Sequence, residues 1–192
     1  MGRPKQFDPD AAVGEAMEVF WRKGYAATTP QDLVEALGIG KGSLYNTFGS
    51  KHELFQRALR RYRDSQLDAL TETLERPGPV KERLRAALRG LADMDLSDPT
   101  RRGCMAVNTA AELAGVDREA TDLVRRMLDR IEDAFRMLLE EGQRTNEIPR
   151  EHDSAALASM LANTVVGMRV TSRVTDDPRR LDRVIDATIE AL

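Results

Sequence analysis

The stretch Gly38-Ile39-Gly40-Lys41-Gly42-Ser43-Leu44-Tyr45-Asn46-Thr47-Phe48-Gly49-Ser50-Lys51-His52-Glu53-Leu54-Phe55 decides the fold. A glycine turn leads into a short helix from about Lys41 to Phe48 that buries Leu44 and Phe48. Gly49 stops it, and Ser50 with Glu53 fits a capping box that opens a longer helix. Just upstream, Thr29 as N-cap, Pro30 at the first helical position and Asp32 in the first turn predict a helix over 30–37, buried through Leu33, Val34 and Leu37. Two short helices joined by a glycine-containing turn form a helix-turn-helix, whose second member can lie in the DNA major groove.

Outward from this stretch, apolar residues keep helical spacing almost throughout, and no segment reads as a strand. A helix from about Asp10 to Lys23 presents Val13, Ala16, Met17 and Phe20 and stops at Gly24. The long helix from Ser50 carries Leu54, Phe55, Ala58, Leu59, Tyr62, Leu67, Leu70 and Leu74 as far as the breaker Pro77-Gly78-Pro79. A fifth helix bears Val80, Leu84, Leu88 and Leu91, and further helices are expected over about 101–114, 117–142, 153–174 and 178–192. The fold class is all-α with about nine helices, and the boundary between halves lies inside the fourth helix, because no flexible linker separates them.

Charge divides unevenly. Residues 1–63 hold 10 Lys+Arg and 7 Asp+Glu, a net of +3, whereas residues 64–192 hold 19 and 25, a net of −6. A basic first third on an acidic body places phosphate contact in the N-terminal part. The single cysteine, Cys104, permits no intramolecular disulfide and fits a reducing cytoplasm. The start does not read as a secretory signal, and the uncharged run Ser154 to Met168 is shorter than the roughly 20 residues that span a bilayer.

The ordered set Phe20, Gly24-Tyr25, Thr28-Thr29, Asp32-Leu33, Gly38-Ile39, Lys41-Gly42-Ser43-Leu44-Tyr45, Phe48, Lys51, Leu54-Phe55 and Tyr62 resembles the TetR/AcrR family of bacterial transcriptional regulators. The resemblance implies a helix-turn-helix DNA-binding domain over 1–62 and a ligand-binding and dimerisation domain over 63–192. It also implies a cytoplasmic homodimer that pairs through its last two helices and holds a palindromic double-stranded operator, most often as a repressor released by a small-molecule effector. No cofactor, metal or membrane enters this expectation.

The DNA-binding candidates are Thr28, Thr29, Gln31, Lys41, Gly42, Ser43, Tyr45, Asn46, Thr47 and Lys51. The amino end of the second helix and the Thr28 and Thr29 hydroxyls can donate to phosphate. Lys41 and Lys51 flank the third helix, and Gly42 lets backbone approach the DNA. Ser43, Asn46 and Thr47 can face outward; Asn suits adenine and a Thr methyl suits thymine. In family members the position of Tyr45 offers a hydroxyl to phosphate, and His52 is a weaker backbone candidate. Two readings stand for Gly2-Arg3-Pro4 with Lys5: an arm that follows the minor groove, or a charged tail.

In the body, Ser154 to Met168 is uncharged, and Leu157, Met160, Leu161, Thr164, Val165 and Met168 make a broad apolar band, as in a helix buried on several sides. The ninth helix carries Leu181, Val184, Ile185, Thr188 and Leu192. Ligand-binding candidates are Cys104, Met105, Asn108, Met127, Phe135, Met160, Asn163 and Met168, since methionine lines adaptable apolar cavities and an amide orients a ligand. Cys104 follows Arg101-Arg102-Gly103 near a helix start; it is either an activated thiol that senses oxidants or electrophiles, or a small buried hydrophobe.

Other classes fare worse. His52 and His152 lie far apart, and no Cys/His metal spacing, phosphate-cradling glycine loop or GxSxG elbow occurs, so the chain is not expected to be an enzyme. A helical interaction module with a degenerate DNA head conflicts with intact Lys41, Gly42, Tyr45 and Lys51.

Overall fold

A computed structural model describes residues 7–192, and among these the chain forms nine helices and no strand. They are α1 (Pro9–Lys23), α2 (Pro30–Leu37), α3 (Lys41–Phe48), α4 (Lys51–Leu74), α5 (Val80–Ser97), α6 (Met105–Leu113), α7 (Arg118–Arg144), α8 (Ser154–Val174) and α9 (Arg179–Glu190). None is long and apolar enough to cross a membrane.

The ends of these helices follow from side chains that satisfy their free N–H groups. Asp8 accepts from Asp10 N at 2.9 Å to open α1. Thr29 and Asp32 form a reciprocal box at α2, and Asp117 and Asp153 cap α7 and α8. At α4 the box is only half made. Ser50 Oγ accepts from Glu53 N at 3.0 Å, but the Glu53 carboxylate takes the Ser50 hydroxyl, because the Ser50 N–H is already given to Phe48 O.

Helices α1 and α3 pack on α4, and α2 packs on α1 and α3, around Ala16, Phe20, Leu33, Leu44, Phe48, Leu54 and Phe55, all buried. Phe20 and Phe55 meet edge to face with centroids 5.1 Å apart. The rest of α4 joins α5, α6 and α7, with α8 against both α5 and α7, and α9 against α5. One continuous buried core runs from Ala12 to Leu192, and α4 passes through both halves without a break.

The sixth helix starts later than its spacing predicts. Residues 101–104 are not helical, with Arg101 at φ 50° and Gly103 at φ 64°. Asp98 folds this turn by accepting from Thr100 N, the Thr100 hydroxyl, Arg102 N and Arg102 Nε at 2.7–3.2 Å. Those bonds hold the Asp98 carboxyl well below the usual carboxylate range despite partial burial.

Candidate nucleic-acid interface and effector cavity

On α3, Leu44 and Phe48 point into the core, which leaves Lys41, Gly42, Ser43 and Asn46 exposed and Tyr45 and Thr47 half-buried. Lys41 makes no ion pair or hydrogen bond among the described residues. A Cβ built on Gly42 would meet nothing within 4 Å, and its φ is not in the left-handed region. The fold therefore gives no reason for glycine there, although glycine weakens a helix. Gln31 is exposed on α2 with its amide given to Glu35 at 2.8 Å.

Thr28, Thr29, Lys51 and His52 sit differently from their sequence reading. Thr28 is buried and its hydroxyl donates to Gly24 O at 2.6 Å. The exposed Thr29 gives both its N–H and its hydroxyl to Asp32, each at 2.8 Å. Asp32 is held down to about 2 by Lys23, then by the Thr29 N–H and hydroxyl. The amino end of α2 thus already carries its own anion, which competes with phosphate there. Lys51 Nζ donates to Tyr25 O and Thr28 O, both at 2.9 Å, and lies 4.2 Å above the Tyr25 ring. His52 turns away from α3 toward Asp117 and Glu119, at 3.3 and 3.4 Å. Arg3, Pro4 and Lys5 lie outside the described residues.

A seam of polar contacts, unread in the sequence, ties this head to the body. Trp21 Nε1 donates to Gly103 O at 2.8 Å, and Arg102 stacks 4.1 Å from the Trp21 ring centre while pairing with Asp98 and Glu18. Glu112 accepts from the Tyr25 and Ala26 N–H groups at 3.0 and 2.6 Å. Glu119 binds Gln56 and His52, which lower its carboxyl in that order. These partners are far apart in the chain and carry no local signature.

Inside the body lies a cavity of about 40 Å³ with walls from α4 to α8, among them Leu70, Leu91, Met127, Ile131 and Val165. Gln66, Cys104 and Arg169 also line it, yet its surface is almost wholly apolar. Of the ligand candidates, Cys104 and Met127 line it. Met105, Phe135 and Met168 are buried in the packing beside it and are not part of its walls. Asn108 is committed to the seam, donating to Arg102 O at 2.9 Å and accepting from Arg173 at 2.7 Å. Met160 and Asn163 are exposed on α8 and are not among the residues that line this cavity.

Cys104 is buried and caps α6 by position, with no side-chain hydrogen bond to the helix. Neither neighbouring arginine serves it: Arg101 donates to Ser172 O and Thr175 O, and Arg102 faces Asp98 and Glu18. Arg169 is the cation that shares its cavity. Arg169 also donates to Tyr62 Oη at 3.0 Å, and burial followed by Cys104 pushes the Tyr62 phenol well above its ordinary value.

The outer face of α8 is a second surface feature. Ala156, Met160, Asn163, Gly167, Val170 and Val174 are all exposed at spacings of four and three residues, with no charge among them. Val174 is 79% exposed, a large fraction for a valine that nothing covers. Val184 and Ala187 of α9 and its C-cap Ala191 are exposed as well, while Leu181, Ile185 and Ile189 are buried.

Residues 13–58 match the family described as bacterial regulatory proteins, tetR family, and residues 80–188 match the tetracyclin repressor-like C-terminal domain. The chain is 36% identical over 194 residues to the HTH-type transcriptional regulator YezE of Bacillus subtilis, covering 100% of both chains. It is 31% identical to the HTH-type transcriptional repressor ComR of Escherichia coli, over 98% of this chain and 90% of that one. Among solved structures, it is similar to a cysteine mutant of the TetR family regulator CifR complexed with 26 bp double-strand operator DNA. That likeness has a TM-score of 0.85 and 28% identity, with 99% of each chain covered.

Proposed function

We propose, from the premise that this chain belongs to the TetR family of bacterial regulatory proteins, that it is a homodimeric repressor of a palindromic operator, released by a small effector bound in the body. Members of this family are DNA-binding transcriptional regulators and not enzymes. The observation that carries the reading is the face of α3, where Lys41, Gly42, Ser43 and Asn46 stand free and the fold leaves Gly42 without a structural reason. Lys41 meets phosphate, Gly42 lets the helix seat closely, and Ser43, Asn46 and Thr47 face base edges, with Tyr45 at the backbone. Gln31 contacts phosphate from α2. Thr28, Thr29 and Lys51 act by holding the α1–α2 turn and the amino end of α2 in shape.

Residues 1–62 form the reading unit and 63–192 the effector and dimer unit in this proposal. The uncharged faces of α8 and α9 pair with a second copy, which sets two α3 helices about one or more DNA turns apart. An effector that binds better to one tilt of α4 than to another shifts operator affinity by that difference. The seam through Trp21, Glu112 and His52 is where body movement reaches the head.

Footprinting on DNA that flanks the gene for this chain tests the reading. A protected, two-fold symmetric site whose affinity falls steeply with salt is expected. Absence of salt-sensitive duplex binding by the full chain overturns it. A second reading, release by modification of Cys104, is favoured by the thiol's place in the cavity beside Arg169. Retained release by an electrophile in Cys104→Ser rejects that route.

A further inference from the structure

A second hollow lies on the seam between head and body, apart from the apolar cavity. Its volume is about 410 Å³, and its walls come from the end of α1, the turn at 100–102, α6 and the end of α8. Five cations stand on these walls, Arg22, Lys23, Arg101, Arg102 and Arg173, against one carboxylate, Glu112. Lys23 is paired with Asp32, and Arg102 with Asp98 and Glu18. Glu112 spends its two oxygens on the Tyr25 and Ala26 N–H groups. Three guanidinium groups are left without an acidic partner among the described residues. Arg22 is exposed and makes no hydrogen bond among those residues either. Arg101 gives Nη1 to Ser172 O and Thr175 O. Arg173 gives Nε to Arg101 O at 3.3 Å and Nη1 to Asn108 Oδ1 at 2.7 Å.

We propose that this crevice binds a small phosphate monoester, with its phosphate held by Arg22, Arg101 and Arg173. Helix ends account for part of the charge, because cations in the last turns of α1 and α8 face negative helix ends. They do not account for Arg101, which lies in no helix and holds φ 50°, a backbone region that an arginine enters at a cost. Nor do they account for like charges from separate elements of the chain gathered on one hollow. A cleft lined by one sign of charge concentrates the opposite ion. Arg101 and Arg173 belong to the half with a net charge of −6, so the basic crevice runs against its surroundings. Charge also sets the class. A phosphate monoester carries nearly two negative charges at neutral pH and three acceptor oxygens, which guanidinium forks meet with paired N–H bonds. A carboxylate brings one charge and two oxygens. Trp21 and Ala111 border the hollow beside the charges, so a short carbon body fits alongside the phosphate.

The site spans the seam. Arg22 belongs to α1 in the head, whereas Arg101 and Arg173 belong to the body. A bound phosphate adds a tie beside the Trp21–Gly103 and Glu112–Tyr25 bonds. A ligand that grips both sides favours this arrangement of head and body, and operator affinity shifts by its differential affinity for the arrangements. That coupling rests on the proposed operator binding. The phosphate site itself stands apart from it and from the apolar cavity.

Trp21 is the single tryptophan of the chain and lines the crevice, so its fluorescence reports binding there. Full-length protein without DNA is titrated with glycerol 3-phosphate, glycerol, acetate, and chloride at matched ionic strength. Glycerol 3-phosphate is expected to change the emission saturably, acetate to act about tenfold more weakly, and glycerol and chloride to leave it unchanged. Arg22→Gln and Arg173→Gln should each lower the affinity for glycerol 3-phosphate by about tenfold. Arg173 also bonds Asn108 and the Arg101 carbonyl, so Arg22→Gln, which breaks no hydrogen bond among the described residues, carries the test if the other variant does not fold. Arg125→Gln, exposed on α7 and outside the crevice, should leave the affinity unchanged. No response to glycerol 3-phosphate, an equal response to chloride, or a response that survives the loss of Arg22 overturns the site. If the Arg22 and Arg173 changes flatten the salt dependence of duplex binding and spare the glycerol 3-phosphate response, the arginines serve DNA phosphate and the small-molecule claim falls. The glycerol 3-phosphate titrations need no operator, so they stand or fall separately from the repressor reading.

Discussion

Trp21 on α1 gives its indole N–H to the carbonyl of Gly103 at 2.8 Å, and this bond joins α1 to the residue just before Cys104, which lines the body's cavity. Gly103 directly precedes Cys104 and holds φ 64°. A Cβ there would meet Arg173 Cδ at 2.6 Å and Arg169 O at 3.2 Å. The turn that presents this carbonyl therefore has no room to relax, and Arg102 closes the other face of the indole.

Trp21→Phe should leave Gly103 O without its donor while keeping an aromatic ring in place. An unmatched, partly buried acceptor costs about 1–2 kcal/mol. Urea unfolding should show a loss of that size. Gly103→Ala should cost more, because both its backbone conformation and its contacts forbid a side chain. A Gly103→Ala protein as stable as the parent contradicts the rigid turn.

Gly42→Ala separates folding from DNA binding. No protein atom opposes the added methyl, and alanine favours helix over glycine by about 1 kcal/mol. Thermal unfolding should show an unchanged or raised Tm, while operator affinity falls at least tenfold. Gly90→Ala on α5, equally open, serves as the comparison and should leave operator affinity alone. Unimpaired operator binding by Gly42→Ala removes the close approach of α3 to DNA.

The head was legible in the sequence because its instructions are local. Thr29 with Asp32, Gly38, Gly49 and Ser50 each act within four residues, and α3 runs from Lys41 to Phe48 as their spacing predicts. The head's polar traffic was less legible, since a lysine or threonine looks the same whether it faces phosphate or a carbonyl. Lys51 faces two carbonyls. In the body, α8 is apolar around much of its girth, so spacing could not tell the outer Met160 and Asn163 from the inner Val165. Arg169 and Tyr62 are 107 residues apart, and Trp21 and Gly103 are 82 apart; only packing brings them together.

Gly167→Arg should divide the proposed dimer. Gly167 lies midway along the exposed uncharged face of α8, with open space where its Cβ would be. A large cation there clashes with a closely packed second copy and strands charge in an apolar interface. Analytical ultracentrifugation should report a monomer, and operator affinity should drop by two orders of magnitude or more as the two half-sites lose their linkage. A stable Gly167→Arg dimer places the interface elsewhere.

Asp32 gives a pH signature. Its carboxyl sits at about 2 in the folded chain, lowered by Lys23 and then by the Thr29 N–H and hydroxyl. A depressed carboxyl adds stability above its unfolded value of about 3.9, and that stability fades as pH falls through about 2. Asp32→Asn should therefore melt lower than the parent at pH 7. The gap should close between about pH 4 and pH 2. A gap that is constant across this window assigns the effect to packing and not to charge.

Lys41 and Lys51 should respond in opposite ways when each is changed to methionine. Lys51 spends its charge on Tyr25 O and Thr28 O and on the Tyr25 ring, so Lys51→Met should cost about 2 kcal/mol in urea unfolding. Its salt dependence of operator binding should keep the parent slope. Lys41 is exposed and uncommitted on α3, so Lys41→Met should change stability by no more than about 0.5 kcal/mol. It should instead flatten the plot of log affinity against log salt by about 1 per protomer, because one phosphate contact is lost. If Lys51→Met flattens the slope without loss of stability, the lysine leaves the Tyr25 and Thr28 carbonyls for the DNA when the operator binds.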